Sequence, residues 1–466
     1  MTAPFLPPSF QLDHAHPTAC TQRLDVTLIS RPACPSCGPH QRIHSRGFHS
    51  GGPLSIFDLP REGPVELSVR RRRYECAVCK ADPAAKVKTF SERGPDTHPR
   101  YDMTKRLHRY VLGQVARRPL QEISAHTGVP ASTLWDIAVN LSKRLEAGHR
   151  LPTPKVLALD GIKILGREYM VVADGVTGLP VGFIGSIKAA DVRAWTHTHL
   201  DIDQVNVVVA DLHKTNTSIA RTKFPNAIYV ADKWHVIQRF QRVLSQVINK
   251  EINDLRAAGE SERAKTIYDF KPGLMAVKKS LRRTRRTSKG GRHTLSFYDD
   301  LRPILAASPK IRRAYWARHD FLRFYSSRSL QDAMPWLERF RRHTHAFASM
   351  TKMIEFDKHF ASNWNLIANY FETVTLRSDG RWRGYTTNAL EQYNGQIRKH
   401  LRARNGVRNF DLMRLIAVYG SRRIGEEIQL CSSADCVAAI GPVFGPPAPP
   451  EIRERTGTYW TCPDCR

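Results

Sequence analysis

Two short, continuously apolar runs in the middle of the chain each end on an aspartate. Val205–Ala210 precedes Asp211, Ala227–Ala231 precedes Asp232, and a helical stretch separates the two runs. Uninterrupted β-branched runs joined through a helix are typical of parallel strands that are covered on both faces. Because functional side chains collect at the carboxyl ends of such strands, both aspartates are candidates for holding a metal. The alternative is that each merely caps the following helix.

Three further apolar segments over residues 155–184, separated by glycine-containing turns, predict an antiparallel meander. Asp160 lies inside the first segment, where burying a lone carboxylate costs on the order of several kcal/mol, so we expect a cation or hydrogen-bond donors beside it. Asp174 is expected in a turn, and Ala189–Leu200 in a helix. The order strand, strand, strand, helix, strand, helix, strand is the ribonuclease-H-like arrangement. Since that fold places the ends of its first and fourth strands side by side, Asp160 and Asp211 should meet.

Closely spaced cysteine pairs mark the N-terminal part of the chain, after a proline-rich segment, residues 1–30, that we expect to be irregular. Two Cys-x-x-Cys pairs can close a tetrahedral Zn²⁺ site with no open position, which is structural rather than catalytic. The residues between the pairs read as strands with a turn at 62–64, so we predict a zinc ribbon over 31–95. Two unrelated surface pairs are the alternative. The four ligands would be Cys34, Cys37, Cys76 and Cys79.

Apolar residues at helical spacing follow in residues 96–150. We predict helices over Asp102–Arg117, Leu120–His126 and Ser132–Leu145 with a turn at 128–130, which together make a helix-turn-helix. A helical linker bundle without a DNA-binding role is the alternative. The side chains that the third helix would present to a major groove are Ser132, Thr133, Asp136 and Lys143.

From residue 241 to about 380 the pattern becomes helical and strongly basic. Aromatic residues recur through this region, and we interpret most of them as the core of a helical subdomain rather than as base-stacking groups. Residues 278–292 hold eight Lys or Arg and no acidic residue. We expect this run to lie along DNA.

A last helix is predicted from Thr387 or Asn388 to a glycine stop at Gly406. A carboxylate followed by basic residues on one helical face suits a site that grips a phosphodiester. The alternative is a capping box, in which Glu391 pairs with Asn388 and only stabilises the first turn. The residues on the shared face are Glu391, Asn394, Arg398 and Arg402.

The charge balance is extreme, with 72 Lys and Arg against 43 Asp and Glu, a formal net charge of +29 and a pI near 10.1. Such a chain attracts polyanions, so nucleic acid is the leading partner. No apolar stretch approaches the length of a membrane span and no signal peptide is recognisable, so we expect an intracellular protein without a membrane partner. The residues expected to contact DNA are Arg70, Arg71, Arg72, Arg73, Ser132, Thr133, Lys143, Arg282, Arg283, Arg285, Arg286, Arg398 and Arg402.

The C-terminal tail contains a further group of cysteines, separated by a proline-rich spacer. They could close a second zinc site, or the tail could be flexible and unliganded. The four residues are Cys431, Cys436, Cys462 and Cys465.

Together these motifs resemble one family, the ISL3-type bacterial insertion-sequence transposases. The resemblance covers the chain from Cys34 to about Arg423 and is most specific in FPNA…ADKWHV and in the helix NALEQYNGQIRKHLRARNGVRNF. Trp234 departs from it, since the family more often has Phe there, and the tail cysteines match nothing in it. In that family three carboxylates form a DDE triad, an Asp-x-x-His element supports it, and a helical insertion precedes the final Glu. The resemblance assigns the triad to Asp160, Asp211 and Glu391, and support to Asp232, His235 and Asn394.

The resemblance also implies the chemistry. Carboxylates crowded together need cations, and all-oxygen ligation suits Mg²⁺ or Mn²⁺. A two-metal site of this kind serves both hydrolysis at the ends of the element and attack of the freed 3′-hydroxyl on target DNA. The implied partners are double-stranded DNA, as terminal inverted repeats and target, and further copies of the chain, in the nucleoid and cytoplasm of a bacterium. Rival functions are a domesticated transposase-derived DNA-binding protein and a ribonuclease-H-like nuclease.

The expected protein is therefore a multidomain α/β chain whose ribonuclease-H-like mixed-sheet domain follows a zinc ribbon and a helix-turn-helix and is interrupted by an all-helical insertion. The expected divisions are an irregular segment at 1–30, the zinc ribbon at 31–95, the helix-turn-helix at 96–150, the first part of the catalytic core at 151–240, the insertion at 241–380, the final catalytic helices at 381–425 and the tail at 426–466.

Overall fold

The chain is a mixed α/β protein with two compact units, residues 1–152 together with 395–466, and residues 153–394. No described helix is long and apolar enough to cross a bilayer. The structure is a computed structural model and describes residues 6–17, 21–29, 33–38, 42–85, 88–148, 150–275, 284–286, 292–294, 297–376, 378, 382–404, 407–422, 428–430 and 439–442.

Two small sheets begin the first unit. The expectation that residues 1–30 are irregular is wrong for β1 and β2, because Leu24, Val26 and Leu28 alternate with polar residues and are buried in a sheet of order β1-β2-β5-β4. The second sheet has the order β3-β6-β7. The strands are β1 (Phe10–Pro17), β2 (Gln22–Leu28), β3 (Ile43–Phe48), β4 (Leu54–Asp58), β5 (Val65–Arg70), β6 (Arg72–Cys76) and β7 (Thr89–Ser91).

Four helices follow or interrupt these strands. The first helix of the predicted helix-turn-helix is shorter than expected, because the Thr104 hydroxyl accepts from the Leu107 N–H and caps it at Lys105. The second helix, Leu120–Thr127, is capped at its C-terminus by Gly128, whose φ of +78° lies in the left-handed region. There a Cβ would lie 2.8 Å from the Phe57 ring, so glycine is required twice over. The helices are α1 (Ala77–Ala81), α2 (Lys105–Gln114), α3 (Leu120–Thr127) and α4 (Ala131–Gly148).

The second unit is built on a five-stranded mixed sheet of order β10-β9-β8-β11-β12. The pairs β8–β11 and β11–β12 are parallel, and β8–β9 and β9–β10 are antiparallel. This is the predicted succession of strands and helices. The elements are β8 (Val156–Ile164), β9 (Arg167–Asp174), β10 (Pro180–Ile184), α5 (Ala189–His199), a short 3-10 helix (Ile202–Gln204), β11 (Val207–Ala210), α6 (Lys214–Lys223) and β12 (Ile228–Ala231).

Helices cover both faces of this sheet, and the strand residues alternate between two cores. Val208 and Ala210 pack in the core shared with α5 and α6. Val209 and Val230 pack in the core of the helical region that follows β12. Burial on both sides explains why the strands are continuously apolar. As expected for a turn residue, Asp174 accepts hydrogen bonds from the N–H groups of the two residues after Gly175.

The region after β12 is helical, and most of its aromatic residues form one core, as predicted. Phe240 contacts Phe321, Phe340 and Phe356, whereas Trp316 is exposed. The elements are α7 (Lys233–Ala257), α8 (Ser261–Met275), β13 (Thr284–Arg286), β14 (Arg292–Thr294), α9 (Phe297–Ala307), α10 (Pro309–Phe324), α11 (Leu330–Thr344), α12 (Thr351–Ser362), α13 (Trp364–Glu372), β15 (Thr375–Leu376) and β16 (Trp382–Arg383).

Parts of the basic run fall outside this description. Arg282 and Arg283 are outside the described residues, and Arg285 and Arg286 are described only as backbone in β13. The tail cysteines, Cys431, Cys436, Cys462 and Cys465, also lie outside the described residues.

Within the first unit, the C-terminal residues pack on the three-helix bundle. Arg404 is buried and donates to the carbonyl oxygens of Val115 and Ala116, just beyond α2. Arg414 donates to the carbonyl and hydroxyl oxygens of Ser142 in α4. The last elements of the chain are α14 (Asn388–Arg402), α15 (Phe410–Tyr419), β17 (Ile428–Leu430) and β18 (Ala439–Pro442).

Candidate active site

Three aspartates form a row at one edge of the five-stranded sheet. Leu159, Ala210 and Ala231 pair with one another across β8, β11 and β12. The next residue on each strand is an aspartate, namely Asp160, Asp211 and Asp232. Leu159 and Ala210 face the core that contains α5 and α6. Because side chains alternate along a strand, the three aspartates lie on the opposite face of the sheet, and that face packs against the helical region.

Asp160 has the partner that its position requires. The Asn394 side-chain amide donates to Asp160 Oδ2 at 2.7 Å. Burial raises the pKa of Asp160, and the charges of Asp211 and Asp232 raise it further, against the opposing effects of His235 and Asn394. A buried carboxylate beside two other carboxylates is a group that a bound cation would stabilise.

Asp211 is oriented by its neighbours in the following loop and in α6. Its Oδ1 accepts from the Asn216 side-chain amide at 2.6 Å and from the His213 N–H at 3.1 Å. Both donors lie on the same carboxylate oxygen. Among the described residues, neither of these donors occupies the other oxygen, Oδ2.

Asp232 is fully buried and joins the start of α7 to the start of α14. Its carboxylate accepts from the Thr387 N–H at 3.2 Å, from the Thr387 hydroxyl at 2.8 Å and from the His235 N–H at 3.4 Å. With both oxygens engaged, Asp232 is built to position other groups. Asp232 caps α7, which is the alternative role considered for an aspartate at the end of a strand. Through Thr387 it also binds the N-terminus of α14, the helix that contains Glu391.

Glu391 lies in the first turn of α14, close to His235. The His235 Nε2 atom is 3.5 Å from Glu391 Oε1 and 3.7 Å from Asp232 Oδ2. The Glu391 N–H donates to the Thr387 carbonyl, which makes Thr387 the N-cap residue. Asn388 is thus inside the helix, Glu391 is one position beyond the place that a capping box uses, and the capping-box alternative is not formed.

A family model described as a transposase, of the DDE and ISL3 type, matches residues 166–417, more than half of the chain. The chain belongs to the ISL3-type family of DDE transposases. This confirms the resemblance read from the motifs. No curated protein matches the chain. The match contains Asp211, Asp232 and Glu391, whereas Asp160 stands just before its first residue.

The residues of this transposase fit the divalent metal that DDE enzymes use. Asp232, His235 and Glu391 offer ligand atoms that lie within 4.8 Å of one another, so among the described residues Glu391 groups with the two expected supporting residues rather than with Asp160 and Asp211. The Asn394 Oδ1 atom is buried and has no hydrogen-bond partner among the described residues. Carboxylate and amide oxygens are donors that Mg²⁺ and Mn²⁺ prefer.

A second candidate metal site of the transposase is formed by the four N-terminal cysteines. Their sulfur atoms are 3.4 to 3.7 Å apart in the pairs Cys37–Cys76, Cys34–Cys79 and Cys37–Cys79. In a tetrahedral site with Zn–S bonds of about 2.3 Å, the sulfur–sulfur edges are about 3.8 Å. The cluster is therefore compatible with a zinc ribbon. Three of its cysteines are buried, and Cys37 is exposed.

One thiol of the four, that of Cys34, favours the thiolate form, whereas burial raises the pKa of Cys37 and Cys79. Burial works against the charged form of Cys34, but hydrogen bonds from the backbone N–H groups of Ser36 and Cys37, and from the Cys37 and Cys79 thiols, outweigh it. Together they lower the pKa of Cys34 to about 6. A thiolate at neutral pH is the form that binds zinc.

The residues expected to contact DNA occupy varied environments. Arg70, Arg72, Arg73, Ser132, Lys143, Arg398 and Arg402 are exposed, whereas Arg71 and Thr133 are half-buried. The Arg70 and Arg72 guanidinium groups lie over the exposed Phe48 ring, at 4.5 and 5.5 Å from its centre. We expected Asp136 to be presented outward to a major groove. Instead its carboxylate accepts hydrogen bonds from Arg100 and from the Tyr101 hydroxyl. Trp135, exposed on the same helix, was missed by the sequence reasoning.

Two positioning residues around Glu391 were also missed. One is Thr387, whose contacts with Asp232 bridge 155 positions of sequence. The other is Gly178, at a φ of +75°, where a Cβ would lie 2.7 Å from the backbone of Ala389. A glycine after a strand and the Thr-Thr-Asn before a helix were visible in the sequence, but no local pattern connects them.

Thr387→Val is expected to slow strand cleavage by about ten- to a hundredfold. Valine keeps the shape but leaves the buried Asp232 carboxylate without its hydroxyl donor, and a displacement of about 1 Å in a reacting group can cost about a hundredfold in rate. A positioning role further predicts that the variant needs more Mg²⁺ for half-maximal cleavage. Thr387→Ser, which restores the hydroxyl, should recover both values.

The matched control is Thr386→Val, because the neighbouring hydroxyl accepts from the Asn388 N–H and is not bound to Asp232. This control should cleave at close to the wild-type rate. A Thr387→Val protein with an unchanged rate and an unchanged Mg²⁺ requirement contradicts the role assigned to Thr387.

Proposed function

We propose that this transposase binds the ends of its insertion sequence and catalyses metal-dependent strand cleavage and strand transfer there. The observation that carries the proposal is the alignment of Asp160 with Asp211 on paired parallel strands, with Asn394 on the helix of Glu391 bonded to Asp160. Asp160 and Asp211 thus lie side by side, and Glu391 lies on the helix that contacts Asp160 through Asn394. This arrangement supports assigning the DDE triad to Asp160, Asp211 and Glu391.

The chain's own residues divide the work between holding and positioning. Asp160, Asp211 and Glu391 would hold Mg²⁺ or Mn²⁺, and Asn394 fixes Asp160 while keeping its own Oδ1 toward the site. Asp232 sets the start of α14. Two bound metal ions would activate the attacking water or 3′-hydroxyl and stabilise the leaving oxygen.

His235 is suited to steady Glu391 without serving as a nucleophile. Its backbone N–H donates to the Asp232 carboxylate, and its ring Nε2 atom is 3.5 Å from Glu391 Oε1. Protein nucleophiles that form covalent intermediates are paired with a base and positioned at the reacting atom. The proposed reaction needs none, because the attacking group belongs to water or DNA.

The N-terminal region is proposed to read the element's ends. The zinc ribbon at 31–95 would contact phosphates through the arginines at 70–73, and the helix-turn-helix at 96–150 would place α4 in a major groove. Exposure of Ser132 and Lys143 supports this use of α4. We retain the ribonuclease-H-like interpretation of the sheet and the proposed divisions after residue 30, whereas β1 and β2 belong to one sheet with β4 and β5. Several copies acting on paired ends in the bacterial nucleoid complete the proposal.

The rival functions explain less of the molecule. A domesticated DNA-binding protein would have no need to keep all three carboxylates around one sheet edge. A ribonuclease-H-like nuclease would share the carboxylates but would have little use for an N-terminal module that reads sequence.

The direct test uses the full-length chain and the DNA that flanks its gene. Short inverted repeats at both ends of the element are expected, and with Mg²⁺ the protein should nick those ends to leave a 3′-hydroxyl and join it to a second duplex. Cleavage products are resolved on a denaturing gel, with Ca²⁺ or chelator as the metal control. Tight binding to the repeats with no cleavage in Mg²⁺ or Mn²⁺ would favour the domesticated protein, and cleavage of any duplex irrespective of the repeats would favour the nuclease.

A further inference from the structure

A cavity of about 310 Å³ lies directly beside the carboxylates, with Asp211 and His235 in its lining. Its volume is at the lower end of the range of about 300–1,000 Å³ that is usual for small-ligand sites. A DNA duplex is far too wide for it. A single planar ring system with its sugar is the size of group that it can hold.

The lining combines five apolar residues with seven polar or charged ones. Val236 on α7, Phe356 and Phe360 on α12 and Ile367 on α13 supply most of the apolar part. Gln238, on α7, adds an amide that can both donate and accept hydrogen bonds. A nucleobase has the matching character, with apolar faces and an edge of donors and acceptors.

Cations are held at the same cavity. The Arg239 guanidinium donates to His359 Nε2 at 2.7 Å, and both residues belong to the lining. Burial and the charge of Arg239 both lower the pKa of His359, so at neutral pH the ring is uncharged and accepts this bond. Arg242, which is exposed, lines the cavity as well. Fixed cations beside an apolar recess suit a base whose own phosphates remain outside it.

We propose that this cavity takes up one unpaired nucleobase of the DNA strand whose phosphodiester reacts at Asp160, Asp211 and Glu391. The inference rests on the proposed function, since it assigns the cavity to the same substrate. It adds that the duplex must open at the reacting nucleotide, because only an extruded or single-stranded base can enter a recess of this size. The cost of unpairing is then offset by the contacts that the base makes inside the cavity.

The test measures binding in the absence of divalent metal, so that it does not depend on cleavage. The probes are a single-stranded oligonucleotide containing 2-aminopurine and an oligomer of equal length whose sugars carry no bases. The wild-type chain should change the 2-aminopurine fluorescence and should bind the base-bearing strand about tenfold more tightly than the backbone alone, the loss expected for one base contact.

Gln238→Trp fills the cavity and should remove both the fluorescence change and the preference for bases, while binding of the backbone oligomer stays as in the wild type. Gln246→Trp is the matched control, because it makes the same change on the same helix at an exposed residue that does not line the cavity. It should behave as the wild type does. Equal affinity of the wild-type chain for the two probes overturns the proposal without requiring any variant to fold.

Three further results separate this proposal from related ones. A free nucleoside monophosphate that displaces the probe as effectively as the oligonucleotide does would overturn a DNA strand as the occupant. A chain that cleaves element ends but shows no preference for bases would refute the cavity assignment while leaving the proposed function in place. A preference for bases in a chain that cuts nothing would support the cavity and refute the cleavage.

Discussion

Asp211→Asn is expected to reduce Mg²⁺-dependent strand cleavage by orders of magnitude while leaving affinity for the element's ends unchanged. The asparagine side-chain oxygen can still accept from Asn216 and the His213 N–H, so the local structure should persist. A neutral amide binds Mg²⁺ poorly, and the charge that would hold the metal is lost. Cleavage rate and end-DNA affinity, measured on the same preparation, separate the two effects.

The control for this substitution is Asp203→Asn, which makes the same chemical change at an exposed position of the short 3-10 helix. It should cleave normally. Glu391→Gln extends the test to the third carboxylate, where a purely structural glutamate would tolerate glutamine. Cleavage by Glu391→Gln at close to the wild-type rate would remove this residue from the triad and sink the proposed mechanism.

Removing one zinc ligand is the second change with a large expected effect. We expect Cys76→Ser to lose the bound zinc and to unfold the sheet β3-β6-β7, because Cys76 is fully buried at the end of β6 and structural zinc contributes on the order of 10 kcal/mol to such folds. Zinc content by mass spectrometry and limited proteolysis of the full-length chain give the two readouts. Wild-type protein treated with a strong chelator should give the same pattern of proteolytic fragments as Cys76→Ser.

Two controls delimit the zinc prediction. Cys20→Ser changes a cysteine outside the four and should keep the zinc and the protease resistance. The double change Cys462→Ser and Cys465→Ser addresses the tail, where unchanged zinc content would dispose of a second site. A Cys76→Ser protein that keeps its zinc and its resistance would show that these cysteines are not a metal site.

Local pattern was sufficient to predict the order of elements in the sheet. Strands such as Val207–Ala210 are buried on both faces, so they stand out as continuous apolar runs, and Asp160 and Asp211 interrupt or end those runs. Their alignment then follows from the order of strands. The paired knuckles at Cys34 and Cys76 were equally readable, because the chemistry of a zinc site imposes its own spacing.

What the sequence concealed depends on contacts between distant residues. Thr387 and Asp232 are joined only by the fold, and neither residue type nor spacing announces the pair. The cavity beside Asp211 is shaped by α7, α12 and α13, whose separate helical patterns show buried faces but not the space between them. Strand β2 was hidden for a different reason, since its alternation is short and lies next to a proline-rich segment.

The bond between Asp232 and Thr387 also bears on how this chain can vary in length. The polypeptide leaves the sheet at Lys233 and returns at Thr386, and a direct hydrogen bond joins the residues on either side of that excursion. Its start and finish therefore coincide in space, whatever path the chain takes between them. A change in length at the surface of this helical region, away from the core around Phe240, therefore leaves the two ends of the excursion joined.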